Sequence, residues 1–222
     1  KVAKKDGEYH GVRNGQTSRS QGTLSEAASS MNVGQASSIL WMDAAETYFL
    51  LAEAKLRLNL GDKTVKEYYE EGVKTSFSSK GASGAESYLD NDVNVPSTSF
   101  IDPTNGRNTD VSRMVSTLTV KWDESASPDK KLERIMVQKW IALFPDGQEA
   151  WSEMRRTGYP GIVTINTNAS GGEVATGELI SRLKFPTKEY SDNGENTQAA
   201  VSLLKGTDIA GTRLWWDTGR NW

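Results

Sequence analysis

The chain has 222 residues, a formal net charge of −3, no cysteine and a single histidine, His10. The nearly balanced charge, without a block of lysines and arginines, argues against nucleic acid as a partner. The missing cysteines and the single histidine exclude the usual zinc-ligand sets, and they argue against a Cys–His or Ser–His catalytic pair unless His10 serves in it.

The length fits one large domain, since domains have about 100–200 residues. Only 36% of the residues are hydrophobic and 20 are glycine, so we expect long loops around a modest core. No apolar run reaches the roughly 18 residues of a membrane span. The first residue is Lys1 and no signal segment is visible, which indicates processing or missing sequence ahead of it.

Residues 1–38 predict an irregular leader, because they are rich in Gly, Ser and Asn and lack a steady apolar period. Apolar residues at helical spacing then predict a helix from Trp41 to Leu60 that stops at Gly61. After a tight turn, residues 63–77 predict a second helix with one apolar side. The two helices are expected to form an antiparallel hairpin.

Residues 80–127 predict a long excursion, because Gly, Ser, Asp, Asn and Pro cluster there. Short helices are expected near Ala85 to Leu89 and around Val111 to Leu118. The excursion also contains a sequence that imitates the start of a calcium loop, Asp90-x-Asp92-x-Asn94, but the later Gly and Glu positions hold Val95 and Ile101. We therefore interpret this sequence as an ordinary loop.

The helical pattern returns at Ser127, a predicted cap followed by Pro128 in the first turn. Lys139 interrupts an otherwise apolar stripe in this helix. A turn at residues 145–147 leads into a shorter helix that Gly158 is expected to end. Downstream we expect an extended segment that runs into a turn, a short helix and an aromatic tail, over residues 178–193, 196–206 and 212–222.

Two adjacent arginines, Arg155 and Arg156, allow two interpretations. They suit a bidentate clamp for a carboxylate or phosphate. They also suit a helix end, where cations meet the negative end of the helix dipole and pair with Glu149, Glu153 or a neighbour. We favour the helix end.

Two acidic residues on one helix face, Glu46 and Glu53, resemble a pair of catalytic carboxylates. Seven residues of helix separate them by about 10.5 Å along the axis. Glycosidases that invert configuration need about 6.5–9.5 Å across a cleft. We therefore expect a structural role for both, with hydrogen bonds to backbone or to arginine.

Aromatic rings are the side chains that most often stack on sugars. We interpret the rings on helix stripes as core, and the adjacent pair near the C-terminus as packing of the tail: Trp41, Tyr48, Tyr69, Trp140, Trp151, Trp215 and Trp216. The aromatic residues in loops remain as candidate ligand-binding residues, because binding residues concentrate in loops: Tyr9, Phe100 and Trp122.

Several blocks of sequence resemble one known family. AAETYFLLAEAKLRLNLGDKTVKEYYEEGV is similar to a tetratricopeptide-like hairpin, and it contains the AE-x-x-F-L-x-AEA helix of the SusD/RagB family. The blocks IMVQKWIALFPDGQEAWSEMRRTGYP, LKFPTKEYSDNGENTQAAVSLL and RLWWD resemble successive C-terminal motifs of the same family. The resemblance runs from about Leu40 to Asp217.

This resemblance implies a mainly α fold, with tetratricopeptide-like hairpins and long irregular loops in a SusD-like superhelix. Residues 39–222 would be the C-terminal part of a SusD-like domain whose N-terminal half is absent, with residues 1–38 as its leader. The implied protein is a surface-exposed lipoprotein of the outer membrane in a Bacteroidetes-type bacterium. Its lipid anchor would lie outside this segment.

The implied function is non-catalytic, with no cofactor or metal: the protein binds glycan, or in some members peptide, and passes it to a TonB-dependent SusC-like transporter. Two alternatives stay open. One is a tetratricopeptide-type scaffold for protein interactions, although only one hairpin is visible and at least three repeats are expected. The other is a glycoside hydrolase. Apolar stripes on the hairpin are also expected to need cover from the absent half.

Overall fold

The computed structural model describes residues 9–11, 26, 28–31, 33–38, 40–102, 108–110, 115–161, 168–175 and 178–217. Its helices are α1 (Ala44–Leu58), α2 (Val65–Ser79), α3 (Ala85–Leu89), α4 (Pro128–Ala142), α5 (Gly147–Thr157), α6 (Thr187–Asp192) and α7 (Gly194–Ser202). Two short strands, β1 (Ser99–Ile101) and β2 (Asn108–Asp110), pair antiparallel. The prediction of a mainly α fold is confirmed.

Asp43 links α1 and α2 at the end of the hairpin opposite the connecting turn. One carboxylate oxygen of Asp43 caps α1 by accepting from the Ala45 amide at 3.0 Å. The other accepts from the Ser79 hydroxyl at 2.7 Å and lies 3.5 Å from the Lys80 ammonium, both at the end of α2. Burial raises the pKa of Asp43, but these hydrogen bonds and the Lys80 charge lower it by more. The pKa of Asp43 therefore lies below its usual range. One carboxylate thus joins the start of α1 to the end of α2.

The turn between the two helices ends α1 earlier than the sequence predicted. Asn59 adopts a left-handed conformation, with φ 54°, and its amide donates back to the last carbonyls of the helix. Gly61 follows with φ 95° and lies close to the Tyr68 ring. The Tyr68 hydroxyl accepts from the Asp62 amide at 3.1 Å and donates to the Asp62 carboxylate at 2.6 Å. The predicted helix therefore starts three residues too early, at Trp41, and ends two residues too late, at Leu60.

Helix α4 packs across the hairpin and completes the core. As predicted, Ser127 caps α4 and Pro128 occupies its first turn. The fully buried side chains at this junction come from all three helices: Phe49, Tyr69, Leu132 and Ile135. Burial raises the pKa of the Tyr69 hydroxyl, which donates to the Val120 carbonyl at 2.6 Å. This bond attaches the end of the long excursion to the core.

The long excursion between α2 and α4 differs in part from its prediction. Helix α3 matches the expected Ala85–Leu89. Of the helix expected around Val111 to Leu118, residues 111–114 lie outside the described part and residues 115–118 are not helical. The Ser116 hydroxyl instead accepts from the Leu118 amide at 3.1 Å, a local bond that competes with helix formation.

The sequence that resembles a calcium loop forms a turn. The side-chain oxygen of Asn91 accepts from the amides of Val93 and Asn94, at 3.1 and 2.9 Å. The Asp92 carboxylate lies 3.3 Å from the Lys121 ammonium. Asx turns of this kind satisfy the backbone without a metal ion.

Asp208 organises the segment after α5. Its carboxylate accepts from the Arg182 guanidinium, from the Phe185 amide and from the Tyr190 hydroxyl, which donates at 2.7 Å. Residues 178–186 have no regular structure, and the turn predicted after them is helix α6. The short helix predicted next is present as α7, although it begins two residues before the predicted range and ends four residues before its end.

Gly72 lies where α2 crosses Phe49, and it provides a test of this packing. A Cβ atom at position 72 would lie 2.8 Å from the Phe49 ring, which is fully buried. We expect Gly72→Ala to destabilise the protein, because overpacking costs about 1–3 kcal/mol and the gain in helix propensity offsets about 1 kcal/mol at most.

The matched control is Gly147→Ala at the start of α5, where no described atom lies within 4 Å of the new Cβ. Thermal unfolding should show a lower Tm for Gly72→Ala and an unchanged or higher Tm for the control. Equal Tm values for the two variants would contradict the described contact.

Candidate binding site

A buried lysine lies where α1, α4 and α5 meet. The Lys139 side chain is only 1% exposed, and its ammonium nitrogen lies 3.2 Å from Glu46 and 3.0 Å from Glu153. The polar residue that interrupts the apolar stripe of α4 therefore provides the positive charge between two carboxylates. A buried ammonium needs such partners, because an unpaired charge in the interior is very costly.

Arg156 extends this cluster along α1. Its guanidinium donates to both carboxylate oxygens of Glu53, at 2.8 and 2.6 Å, and to both of Glu153, at 2.9 and 2.7 Å. Arg57 lies 2.9 Å from Glu53 on the other side. We name these six residues the ion network: Glu46, Glu53, Arg57, Lys139, Glu153 and Arg156. It has three carboxylates and three cations, so its formal charge is zero.

The contacts in the ion network show which of the roles considered for Arg156, Glu46 and Glu53 these residues have. Arg156 donates four hydrogen bonds to carboxylates of the protein itself, as the helix-end interpretation expects. Glu46 and Glu53 each neutralise a cation, which confirms the structural role expected for them. The sequence analysis named both Glu53 and Arg156 but did not pair them, because they lie 103 positions apart in the chain.

The other arginine at this helix end supports an aromatic ring. The Arg155 guanidinium carbon lies 4.5 Å from the centre of the Trp151 ring, and Arg155 also donates to the Ser181 carbonyl. Cation–π stacking of this kind fixes the plane of the indole. Arg155 thus joins α5 to the segment that follows it.

Two glutamates of α5 have pKa values shifted in opposite directions. Burial raises the pKa of Glu153, but hydrogen bonds from Arg156 and the charge of Lys139 lower it by more. The pKa of Glu153 therefore lies below its usual range. Burial also raises the pKa of Glu149, the nearby Glu46 raises it again, and Lys139 compensates only in part. Relative to the unfolded chain, folding therefore makes Glu153 harder to protonate and Glu149 easier to protonate.

The three loop aromatics predicted to bind ligand lie in different settings. Tyr9 is 62% exposed, and Phe100 is partly buried in β1. Trp122 packs against the core: its ring centre lies 5.2 Å from that of Tyr69, Lys131 lies 5.8 Å from the ring, and the indole nitrogen donates to Glu124 at 2.5 Å. No ring contact joins the three in the described part of the chain, and their binding role stays a prediction.

The interpretation of the helix-stripe and tail aromatics as core is right for some and wrong for others. Tyr69 is fully buried and Tyr48 packs against the core. Trp41 is 88% exposed, because it precedes the Asp43 cap and lies outside α1. Trp215 is 79% exposed in a turn, and Trp216 is also exposed. No periodic signal separates these accessible rings from buried ones.

An open groove lies between the end of α2 and the α4–α5 junction. Its volume is about 880 Å³, which falls in the range of ligand-binding clefts. We name it the α2–α5 groove and define it by six of its lining residues: Phe77, Trp140, Ile141, Phe144, Trp151 and Met154. The expectation that Trp140 is core is wrong, since this ring is partly exposed in the groove. Trp151 is partly buried there.

Comparison with known proteins links this architecture to one family. The family model "SusD-like: Susd and RagB outer membrane lipoprotein" matches residues 1–217. No curated protein matches the chain.

The fold of this chain is similar to that of several SusD homologs whose structures have been solved. A chitin-binding SusD homolog from Flavobacterium johnsoniae is 42% identical over 83% of this chain and 38% of its own, with a TM-score of 0.72. A SusD homolog from Bacteroides thetaiotaomicron is 37% identical over 96% and 46%, with a TM-score of 0.83. One from Bacteroides uniformis is 39% identical over 87% and 41%, with a TM-score of 0.77. The chain spans less than half the length of these relatives.

Removal of the buried ammonium should strongly destabilise the protein. We expect Lys139→Met to lower the free energy of unfolding by about 3–5 kcal/mol at pH 7, because two carboxylates lose their shared cation while the side-chain volume is kept. The control is Lys188→Met, which removes an exposed pair with Asp192 and should leave stability unchanged. Urea denaturation measures both, and similar small effects would contradict a buried ion network.

The opposite pKa shifts on α5 predict opposite effects of pH. Glu153 contributes stability above its unfolded pKa of about 4.3, and this is lost as the pH falls through its lower folded pKa. Glu149 costs stability when charged, and that cost is relieved as the pH falls through its raised pKa. We expect the acid-induced loss of stability between pH 7 and 3 to be smaller in Glu153→Gln than in the wild type, and larger in Glu149→Gln. Shifts in the same direction, measured by urea denaturation at each pH, would refute this assignment.

Proposed function

Because the chain belongs to the SusD-like family of SusD and RagB outer-membrane lipoproteins, we propose that it binds oligosaccharide without cleaving it, at the surface of the outer membrane. The proposed ligand is delivered to a TonB-dependent SusC-like transporter. The proposed anchor is a lipid outside these residues, and no helix in the described ranges is long and apolar enough to cross a bilayer.

The observation that carries this proposal is the similarity to a chitin-binding homolog. That relative is 42% identical over 83% of this chain, so a common ligand class is a reasonable inference. Chitin is a polymer of N-acetylated pyranose rings, whose flat apolar faces stack on aromatic side chains. Our proposal is therefore a glycan with exposed pyranose faces.

The aromatic side chains proposed to contact the glycan are Tyr9, Phe100 and Trp122. Tyr9 is the most accessible of them, with 62% of its surface exposed. Trp41 and Trp215 join them as candidates, because their rings are open to solvent. Exposed indoles provide flat contact area at little cost in side-chain entropy.

The non-catalytic part of the proposal is supported by the state of the helix carboxylates. Glu46, Glu53 and Glu153 each lie within about 3.2 Å of a lysine or arginine nitrogen. A general acid needs a raised pKa and access to substrate, whereas these groups stabilise the packing of helices. The glycoside hydrolase alternative gains no support from them.

Calorimetry with chitin oligosaccharides and a panel of other glycans tests the proposal. We expect a saturable heat of binding for at least one glycan, and no release of reducing ends on prolonged incubation. Tyr9→Ala and Phe100→Ala should weaken binding, since loss of one stacked ring costs about 0.5–1.5 kcal/mol. Trp122→Ala requires a parallel melting curve, because this ring also packs on Tyr69.

The control variant is Leu203→Ala, an exposed apolar residue without an aromatic ring, which should bind as the wild type does. The absence of binding to every glycan would contradict the proposed function. Binding that survives both aromatic substitutions would remove Tyr9 and Phe100 from the site.

A further inference from the structure

The segment that leads to Trp122 is anchored to the core just before the ring. It has no helix or strand, so its backbone carbonyls need hydrogen-bond partners from elsewhere in the protein. The Arg134 guanidinium donates through Nε to the Thr119 carbonyl at 3.0 Å, and the Tyr69 hydroxyl donates to the Val120 carbonyl at 2.6 Å. Two buried side chains, one from α4 and one from α2, therefore hold consecutive carbonyls.

The next residue extends this anchoring to a third part of the fold. The Lys121 amide donates to the Asn91 carbonyl at 3.0 Å, in the turn that follows α3. Three successive residues are thus hydrogen-bonded to α4, to α2 and to this turn. A loop that is held in this way loses its conformational freedom during folding, before any ligand arrives.

The Trp122 ring has contacts of its own. Its centre lies 5.2 Å from that of Tyr69, and its indole nitrogen donates to the Glu124 carboxylate at 2.5 Å. Lys131 pairs with the same carboxylate at 3.1 Å. Trp122 nevertheless stays partly exposed. Tyr69 therefore contacts both the ring and the backbone that precedes it.

Arg134 is buried although its charge makes burial unfavourable. It is only 5% exposed, and a buried guanidinium costs free energy that an apolar side chain of similar volume would not. Its hydrogen bond with the segment goes to one neutral carbonyl, that of Thr119. This contact indicates that Arg134 orders the segment before Trp122 more than it stabilises the core.

We propose that Tyr69 and Arg134 are positioning residues for Trp122, which they hold in the orientation that contacts glycan. The inference rests on the proposed function, and it adds that the affinity for glycan depends on two core side chains behind the binding surface. A ring that is already ordered binds more tightly, because less side-chain entropy is lost on binding.

Two hydroxyl deletions separate positioning from stability. Tyr69→Phe removes the donor to Val120 and keeps the ring. Tyr88→Phe is the matched control, because Tyr88 also packs on the core but its hydroxyl donates to the Gln138 side chain, at 3.0 Å. We expect both variants to have a lower Tm, and only Tyr69→Phe to bind glycan more weakly, by about two- to tenfold.

Calorimetry on the full-length protein measures this affinity. The probe is chitin oligosaccharide or, if that gives no heat, the glycan of the panel that does. Arg134→Met, which removes the donor to Thr119, should weaken binding in the same range as Tyr69→Phe. In the Trp122→Ala background, Tyr69→Phe should cause no further loss of affinity, because the ring that it positions is absent.

Fluorine NMR of protein labelled with fluorotryptophan reports on the ring without glycan, with the Trp122 signal assigned from Trp122→Phe. That signal should shift or broaden in Tyr69→Phe and Arg134→Met, and it should stay unchanged in Tyr88→Phe. An unchanged signal in the first two variants would show that they do not position the ring and would overturn the proposal.

The binding outcomes distinguish this proposal from the function on which it rests. Wild-type affinity in either Tyr69→Phe or Arg134→Met would overturn the positioning role and leave glycan binding intact. An equal loss of affinity in Tyr88→Phe, or a further loss in the Trp122→Ala background, would also overturn it, since the effect would then be a general one on stability. If the wild type binds no glycan, the proposed function fails, and this inference fails with it.

Discussion

The ion network is the constraint on which the rest of the structure depends. Lys139 is buried at the junction of α1, α4 and α5, where Glu46 and Glu153 pair with its ammonium. Glu53, Arg57 and Arg156 complete the network and bring its formal charge to zero. Buried ions add little net stability compared with apolar residues of the same shape, but a missing partner is expensive. The cluster therefore specifies one register of the three helices more than it strengthens their packing.

This register explains why acidic residues that resemble catalytic ones are part of the scaffold. Carboxylates that hold cations at about 3 Å keep the helices in place, and the same helix end supports Trp151 through Arg155. The binding role proposed for the protein then falls to rings outside the network, in loops and at helix ends. The ions thus fix the SusD-like frame, and the aromatic rings proposed to bind glycan lie outside them.

Sequence patterns predicted the parts of the fold that depend on local rules. The hairpin, the cap at Ser127 and the end of α5 at Gly158 follow from helical spacing and capping residues. Sequence did not predict the partners of Lys139, because Glu46 lies on a helix far away in the chain and no spacing rule connects them. It also placed Trp41 in the core and Trp215 in the packing of the tail, and both rings are exposed. Burial of a ring depends on which neighbour covers it, and that is a property of the tertiary fold. The binding residues were the least predictable, since loop aromatics carry no periodic signal.

A double-mutant cycle between Glu53 and Arg156 tests the central claim most directly. The four proteins are the wild type, Glu53→Gln, Arg156→Met and the double variant, and the measured quantity is the free energy of unfolding in urea at pH 7. A pair that joins α1 to α5 through two short hydrogen bonds should show a coupling energy of about 1–3 kcal/mol. Additive effects, with a coupling energy below about 0.5 kcal/mol, would show that the network does not hold the helices together and would contradict the account.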